Sequence, residues 1–250
     1  MRSDAAPARV WVPEVPACGA LIDPGPDARH YLERVCRARE GESVTLTDGR
    51  GRVAVARVTR DGGRLALAVG RVEDLPAPAP RVLLCGAPEG ERADWMVEKL
   101  AELGVTTLIP VDTARARWER FERRAQRFER LALAALRQSL GAHRMEIGRP
   151  TPLGEACAAL PAGGTRWLAE PSGARADARR AALPGWYGVV GPAAGLDEAE
   201  RASCIACGFA PISLADSRLR TETAALCMAA LWAACADRGA EVAGETGRGA

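Results

Sequence analysis

The chain has 250 residues, of which 48% are apolar and 26% charged, and its formal net charge is +2. This composition is typical of a folded globular protein and excludes the low-hydropathy, highly charged class of disordered chains. No apolar run approaches the roughly 18 residues of a membrane span, and residues 1–16 lack the apolar stretch of a secretory signal, so we expect a cytoplasmic protein with no membrane partner.

The first third of the chain has short runs with the composition and alternation of β-strands. The predicted strands are Arg9–Val12, Val44–Thr47, Val53–Val58 and Leu65–Val69. Turn signals follow two of them at 48–51 and 61–63, and helical spacing of apolar residues covers Asp27–Arg39. These elements predict a small β-barrel with one helix over residues 1–75.

Proline alternates with other residues over 76–80, which favours an extended linker without backbone donors. We place the domain boundary there and predict a second domain over 81–239. The glycine-containing tail, 240–250, is predicted to be disordered.

After the linker, strands alternate with helices, which predicts an α/β domain with a parallel sheet. The strands are expected at 81–85, 107–111, 166–169, 187–190 and 211–214, and the helices at 92–103, 119–140 and 221–237. Loop residues follow three of these strands, at 170–173, 191–195 and 215–220. Because ligands bind at the carboxyl ends of strands in such sheets, these loops are the predicted pocket.

The cysteines and the glycine motifs point to no metal or nucleotide chemistry. Cys204 and Cys207 have the spacing of zinc ligands but no second pair and no nearby histidine, so we expect reduced thiols and no metal site. Neither the dinucleotide-binding nor the P-loop glycine pattern occurs in the sequence.

Arginine is concentrated in one window of the chain. Residues 115–149 contain ten arginines against four glutamates, and Lys99 is the only lysine of the chain. Guanidinium groups pair with phosphate in a bidentate way, so this window is a candidate RNA-binding surface. A solvated helix face, in a chain whose composition favours arginine over lysine, explains the same pattern and stays open as an alternative.

Several strings in the sequence resemble the RsmE family of 16S ribosomal RNA uridine methyltransferases. In the second domain they are RADWMVEKLAELGV at 92–105, Gly191-Pro192-x-x-Gly195, and LRTETAA at 219–225, which is the most specific of them. In the first domain they are RVWVP at 9–13, HYLERVCR at 30–37 and LTDGRG at 46–51. The resemblance covers about residues 9–239.

The resemblance implies a PUA-like β-barrel followed by a SPOUT domain, an α/β domain whose parallel sheet ends in a deep trefoil knot. It also implies a homodimer that binds S-adenosylmethionine in the knot and methylates N3 of a uridine in the ribosomal RNA of the small subunit. The barrel and the basic helix are then expected to contact RNA phosphates.

Specific residues follow from the same match. For cofactor binding they are Leu168, Ala169, Glu170, Gly191, Pro192, Gly195, Leu214, Arg218, Leu219 and Thr221. For RNA binding they are Arg9, His30, Arg37, Arg92, Lys99, Arg123 and Arg127. The candidates for stabilising the uracil anion that forms when N3 loses its proton are Arg220 and Arg115.

Some family motifs are altered in this chain. The family has Gly-Pro-Glu-Gly-Gly where 191–195 read Gly-Pro-Ala-Ala-Gly, and Glu-Gln-(Ser/Cys)-Gly-Arg where 137–141 read Arg-Gln-Ser-Leu-Gly. Its Leu-Gly-Pro-Arg corresponds to Leu-Ala-Asp-Ser at 214–217, with Arg218 as the candidate replacement for the arginine. An alternative function is therefore a paralogue that binds RNA or the cofactor without catalysis, or that methylates a different substrate.

Overall fold

A computed structural model describes residues 8–176 and 185–236, which form two compact units. The first unit contains the described residues up to Pro78 together with Leu133–Arg144, and the second contains Ala79–Ala132 and the described residues from Met145 onwards. The sequence-based division into 1–75 and 81–239 did not separate Leu133–Arg144 from its neighbours in the chain. This segment joins the first unit because its backbone bonds to the turn at 49–51, with N–H···O distances of 3.0 Å from Gly51 to Ala142 and 2.8 Å from Arg144 to Gly49.

The first unit is built on a five-stranded sheet with the order β1-β3-β4-β5-β2. The strands are β1 Arg9–Trp11, β2 Leu21–Ile22, β3 Ser43–Thr47, β4 Arg52–Asp61 and β5 Arg64–Asp74. β1 pairs with β3 in parallel, and the other pairs are antiparallel. The helix predicted over Asp27–Arg39 is shorter, with α1 at Pro26–His30 followed by a π-helical turn at Tyr31–Cys36 that buries Leu32 in the core of the sheet. The two-residue strand β2 was not predicted.

The second unit has a parallel sheet with the order β12-β10-β11-β6-β7-β8, and β9 also pairs with β7. Its strands are β6 Arg81–Cys85, β7 Thr107–Asp112, β8 Glu146–Ile147, β9 Thr151–Pro152, β10 Thr165–Arg175, β11 Trp186–Val190 and β12 Ala210–Ser213. Its helices are α2 Arg92–Glu102, α4 Leu153–Ala158, α5 Glu198–Ala206 and α6 Thr221–Ala236, and α3 Phe121–Gln138 has its residues from Leu133 onwards in the first unit. The carboxyl ends of these parallel strands therefore lie at one edge of the sheet.

Apolar residues on the two faces of this sheet form two separate clusters. Successive residues of a strand point to opposite faces, so Leu83 packs in the cluster with Met96 and Trp232, whereas Leu84 packs with Phe209. All five side chains are at most 2% exposed. Both faces are covered, which is the usual condition of a parallel sheet.

Strand β10 differs from the prediction, which ended it at Ala169 and assigned 170–173 to a loop. The strand continues to Arg175, and its register against β12 shifts between Ala169 and Ala174, both of which lie opposite Ile212. The intervening residues therefore form an irregular segment within a strand. The tail at 240–250, predicted to be disordered, lies outside the described residues, and the trefoil knot stays a prediction. No helix in the described ranges is long and apolar enough to cross a membrane.

Candidate active site

The middle of β10 and the carboxyl ends of β11 and β12 surround a cavity of about 390 Å³. The structure thus brings together the three segments that the sequence predicted to form a pocket. The lining residues are Ala169, Glu170, Pro171, Val190, Gly191, Pro192, Ala193, Gly195, Leu196, Ser213, Leu214, Ala215, Ser217, Arg218, Leu219, Thr221 and Ala224. Most of them are apolar or present backbone groups, as in many small-molecule sites.

Every residue predicted to bind the cofactor lines this cavity except Leu168. That side chain is 1% exposed and packs with Val189 and Phe209 in the core of the sheet. The neighbouring Ala169 faces the cavity instead, because side chains alternate between the faces of a strand. Lining residues that the prediction missed, such as Leu196 and Ser213, lie in or beside the predicted loops.

The loop 191–195 is held by three side chains that lie outside it. Thr221 Oγ1 donates to the carbonyl of Gly191 at 3.1 Å, Arg218 Nη2 to that of Ala193 at 2.8 Å, and Arg115 Nη1 to that of Ala194 at 2.9 Å. Within the loop, the N–H of Gly195 donates to Pro192 O at 2.8 Å. The backbone of the loop is therefore fixed although Ala193 replaces the glutamate of the family motif.

Gly86, the residue that follows β6, packs directly against this loop. Its N–H donates to Val190 O at 2.8 Å, and a Cβ added to it would lie 2.5 Å from Pro192 N. Only glycine allows two backbone segments to come this close. Gly86 was not singled out in the sequence, because the requirement arises from a contact more than 100 residues along the chain.

Glu170 and Arg218 supply the charged side chains of the cavity lining. Arg201 of α5 lies 3.3 Å from Glu170 and also pairs with Glu198. Hydrogen bonds to Glu198 and Glu170 raise the pKa of Arg201 above its usual value. One wall of the cavity thus carries a carboxylate and another a guanidinium.

The two candidate catalytic arginines occupy different places. Arg115 is exposed and donates to the loop at Ala194. Arg220 does not line the cavity and lies in a neighbouring depression with Arg92 and Trp95, which shares Arg218 and Leu219 with the cavity. The structure therefore places Arg115 against the loop 191–195 and Arg220 in the depression that shares Arg218 and Leu219 with the cavity.

In the second unit, most of the residues predicted to contact RNA are engaged with acidic side chains. Arg92 lies 3.3 Å from the buried Glu222, and Lys99 pairs with Glu98 at 2.7 Å and with Glu102 at 2.8 Å. Arg127 pairs with Asp94. Arg123 is exposed on α3 and makes no ion pair with any residue that the structure describes.

In the first unit, His30 and Arg37 are exposed, whereas Arg9 is partly buried. The Arg9 guanidinium donates to Gly141 O, and burial lowers the pKa of Arg9. Arg9 therefore has a structural contact within the unit.

The altered motif at 137–141 also lies in the first unit. The Arg137 guanidinium lies over the ring of Tyr31, 5.1 Å from its centroid. Leu140 has a φ of +56° and is 43% exposed. Because the left-handed region is unfavourable for a branched side chain, the position suits the glycine of the family motif better than leucine.

Comparison with known proteins provides the family. A family model described as an RNA methyltransferase domain matches residues 76–233, and one described as an RNA methyltransferase PUA domain matches residues 24–69. The chain belongs to the RNA methyltransferase family. The predicted PUA-like first domain and α/β methyltransferase domain are thereby confirmed.

The similarity of this RNA methyltransferase to known proteins extends over nearly the whole chain. It is 28% identical over 238 residues to the ribosomal RNA small subunit methyltransferase E of Mycobacterium bovis, covering 86% of this chain and 87% of that protein. The crystal structure of a protein of the same name from Neisseria gonorrhoeae, bound to S-adenosyl methionine, is similar with a TM-score of 0.77 and 27% identity, covering 94% of this chain and 98% of the other. A Porphyromonas gingivalis structure described as a probable rRNA-methyltransferase is similar with a TM-score of 0.74 and 28% identity, covering 93% and 97%.

Proposed function

We propose that this RNA methyltransferase transfers the methyl group of S-adenosylmethionine to N3 of a uridine in the 16S ribosomal RNA of the small subunit. The observation that carries the proposal is the cavity between the middle of β10 and the carboxyl ends of β11 and β12, with the loop 191–195 held in place by side-chain hydrogen bonds. The family resemblance, the Mycobacterium relative and the cofactor-bound Neisseria structure supply the cofactor and the substrate.

The residues of the cavity fit the chemistry of this cofactor. A volume of about 390 Å³ lies within the range of small-molecule sites, roughly 300–1,000 Å³. Leu196, Leu214 and Leu219 offer apolar contact to an adenine ring, and the loop offers backbone groups for hydrogen bonds. Glu170 and Arg218 offer opposite charges that suit the ammonium and the carboxylate of the methionine part.

When bound, the cofactor supplies an electrophilic methyl group on a sulfonium. Transfer of this group would break its bond to sulfur and form the bond to N3, whose proton would pass to solvent, leaving S-adenosylhomocysteine and the methylated base. Residues 191–195 and 213–219 hold the donor close to the base, which lowers the entropic cost of reaction. Arg220, beside the cavity, donates to a uracil oxygen and stabilises the negative charge that develops on the ring.

The remaining features of the proposal rest on the family resemblance. Arg115 has guanidinium N–H groups besides the one bonded to Ala194 O, so it also serves as a donor to the base. His30 and Arg37, both exposed in the first unit, contact RNA phosphates. The protein acts in the cytoplasm, and it acts as a homodimer. Sedimentation equilibrium tests the dimer directly.

A second candidate function is a module that binds RNA or cofactor without catalysis, or a methyltransferase with another substrate. The observations that favour it are Ala193 in place of the loop glutamate and Arg137 in place of the glutamate near the end of α3. Both changes remove a carboxylate that the family motif contains.

The experiment that tests the proposal begins with calorimetric titration by S-adenosylmethionine and S-adenosylhomocysteine. Thr221→Val serves as a variant that keeps the side-chain shape and loses the donor to Gly191 O. We expect micromolar binding that is weaker in the variant, followed by 3-methyluridine in 16S rRNA when small subunits lacking the modification are incubated with protein and cofactor. Absence of cofactor binding up to millimolar concentration contradicts the proposal, and binding without 3-methyluridine favours the second candidate.

A further inference from the structure

A second concave surface lies in the methyltransferase unit, where the segments following β6 and β7 meet the first turns of α2 and α3. It encloses about 690 Å³, and its arginines are Arg117, Arg120, Arg124 and Arg127. Because β6 and β7 belong to the same parallel sheet as the strands of the cofactor cavity, this depression lies at the same sheet edge.

The four arginines divide into two pairs. Arg124 Nη2 lies 2.6 Å from Asp94 Oδ1, and Arg127 Nε pairs with the other oxygen of the same carboxylate. Arg117 and Arg120 make no ion pair or side-chain hydrogen bond with any residue that the structure describes, and both are exposed. Arg124 and Arg127 thus share the charge of Asp94, whereas Arg117 and Arg120 are available to a ligand.

The electrostatics of the depression favour an anion. Its acidic residues are Glu91, Asp94 and Glu119, so the four arginines leave a formal charge of +1. The positive ends of α2 and α3, whose first residues are Arg92 and Phe121, add to this charge. A concave surface also concentrates the field between its walls more than the convex face of a helix does.

Arg120 carries a further, independent indication. Its φ is +56°, in the left-handed region that favours glycine and asparagine over a long side chain. Such backbone outliers concentrate at binding and active sites, where the side chain is needed in that position. Arg120 keeps this unfavourable conformation although its side chain pairs with no described residue.

We infer that Arg117 and Arg120 bind backbone phosphates of the RNA substrate in this depression, next to the segment that carries the methyl donor. The inference rests on the proposed function and identifies the phosphate-binding residues of that site. Arg117 and Arg120 thus take the place of Arg127 and Arg123 as the main RNA contacts around α3. Arg127 is paired with Asp94, and Arg123 lies on the convex face of the helix. RNA is favoured as the anion because exposed guanidinium groups bind phosphate in a bidentate way.

The test is the salt dependence of binding to a 16S rRNA transcript, measured by filter binding at several KCl concentrations. Each phosphate contact contributes about 0.7–0.9 to the slope of log K against log salt. For Arg117→Ala/Arg120→Ala we therefore expect the slope to fall by about 1.4–1.8, and the affinity at ~0.1 M salt to fall by about 25- to 60-fold. Lysines at both positions keep the charge and retain most of the slope.

Arg130→Ala is the matched control, since it removes an exposed arginine of α3 that lies outside the depression. We expect it to leave the slope nearly unchanged. Arg120→Gly separates binding from folding: it removes the unfavourable φ and raises the Tm by about 2–4 °C, while the RNA slope falls. If Arg120 had only a structural role, its replacement would not raise the Tm and at the same time lower the salt slope of RNA binding.

The outcomes distinguish the inference from the proposed function. Cofactor affinity is measured in the same variants and is expected to be unchanged. If the wild type binds RNA with a slope that the Arg117/Arg120 variant retains, the inference is wrong and the methyltransferase proposal stands. If the wild type shows no salt-dependent RNA binding at all, the inference is wrong, and the methyltransferase proposal is then decided by the formation of 3-methyluridine in small subunits.

Discussion

The loop 191–195 and the turn 137–141 both depart from the family motifs, but the structure accommodates the two departures differently. At the loop, Arg115, Arg218 and Thr221 bind the backbone carbonyls, so losing the glutamate leaves no carbonyl of Gly191, Ala193 or Ala194 without a donor. At the turn, Leu140 occupies a left-handed conformation with no side-chain hydrogen bond to offset it. The first change is compensated by contacts, and the second lowers stability.

The largest expected effect comes from disrupting the loop through its neighbour. Gly86→Ala places a methyl group 2.5 Å from Pro192 N, and backbone cannot yield as a flexible side chain does. We expect the free energy of unfolding to fall by about 2–3 kcal/mol and the cofactor affinity by ~100-fold or more. Chemical denaturation and calorimetry measure the two. Gly154→Ala, whose Cβ would make only an ordinary 3.7 Å contact with Ser203, is the control.

Removing the two guanidiniums tests the compensation itself. Each bond to the loop is worth about 1 kcal/mol, because both arginines are exposed and water competes for them. Arg115→Ala/Arg218→Ala should therefore lower the free energy of unfolding by about 2 kcal/mol. Because the loop is then less ordered and Arg218 also lines the cavity, S-adenosylmethionine binding should weaken by about 30-fold or more. Arg71→Ala, which breaks an exposed pair with Glu73 in the first unit, should not change this affinity. Equal cofactor affinity in the double variant and the wild type would show that the loop keeps its shape unaided.

A substitution in the turn 137–141 is expected to raise the stability of the protein. Leu140→Gly relieves the left-handed backbone and loses little packing from a half-exposed side chain, so the free energy of unfolding should rise by about 1 kcal/mol. Thermal denaturation followed by circular dichroism measures it as an increase in Tm of about 2–4 °C. Leu140→Ala keeps the unfavourable φ and should give no increase. A lower Tm for the glycine variant would mean that packing of Leu140 outweighs its backbone conformation.

The smallest effect is expected when the family carboxylate is restored. Ala193→Glu adds a charge beside Arg218, whose guanidinium already holds the backbone of that residue. We expect cofactor affinity to change by about twofold or less. A gain of tenfold or more in calorimetry would show that the arginines replace the glutamate only in part.

Sequence patterns predicted those parts of the molecule that depend on local periodicity. The strands of the parallel sheet and the three segments around the cavity follow from apolar runs ended by loop residues. The extension of β10 did not, because Pro171 and Gly173 have the composition of a turn and lie in its irregular segment, and only the pairing of Ala174 and Arg175 with β12 continues the strand. Periodicity also could not show that Leu168 faces the core while Ala169 faces the cavity.

Long-range contacts explain the remaining differences. Arg127 was predicted to contact RNA, and its partner Asp94 lies 33 residues earlier in the chain, on another helix. Local spacing on α3 does not contain that information. The same is true of Gly86 and Pro192, which no sequence window brings together.

The grouping of Leu133–Arg144 with the first unit determines how the protein can be dissected. A fragment that ends at Pro78 lacks Leu136 and Arg144, whose side chains lie within 3.3 Å of a Cβ built on Gly49, and His143, which packs on Gly51. Such a truncation removes the backbone partners of the turn at 48–51 and leaves Arg9 without its acceptor at Gly141. To keep these contacts in an isolated first unit, residues 133–144 must be fused to residues 1–78 through a short glycine linker.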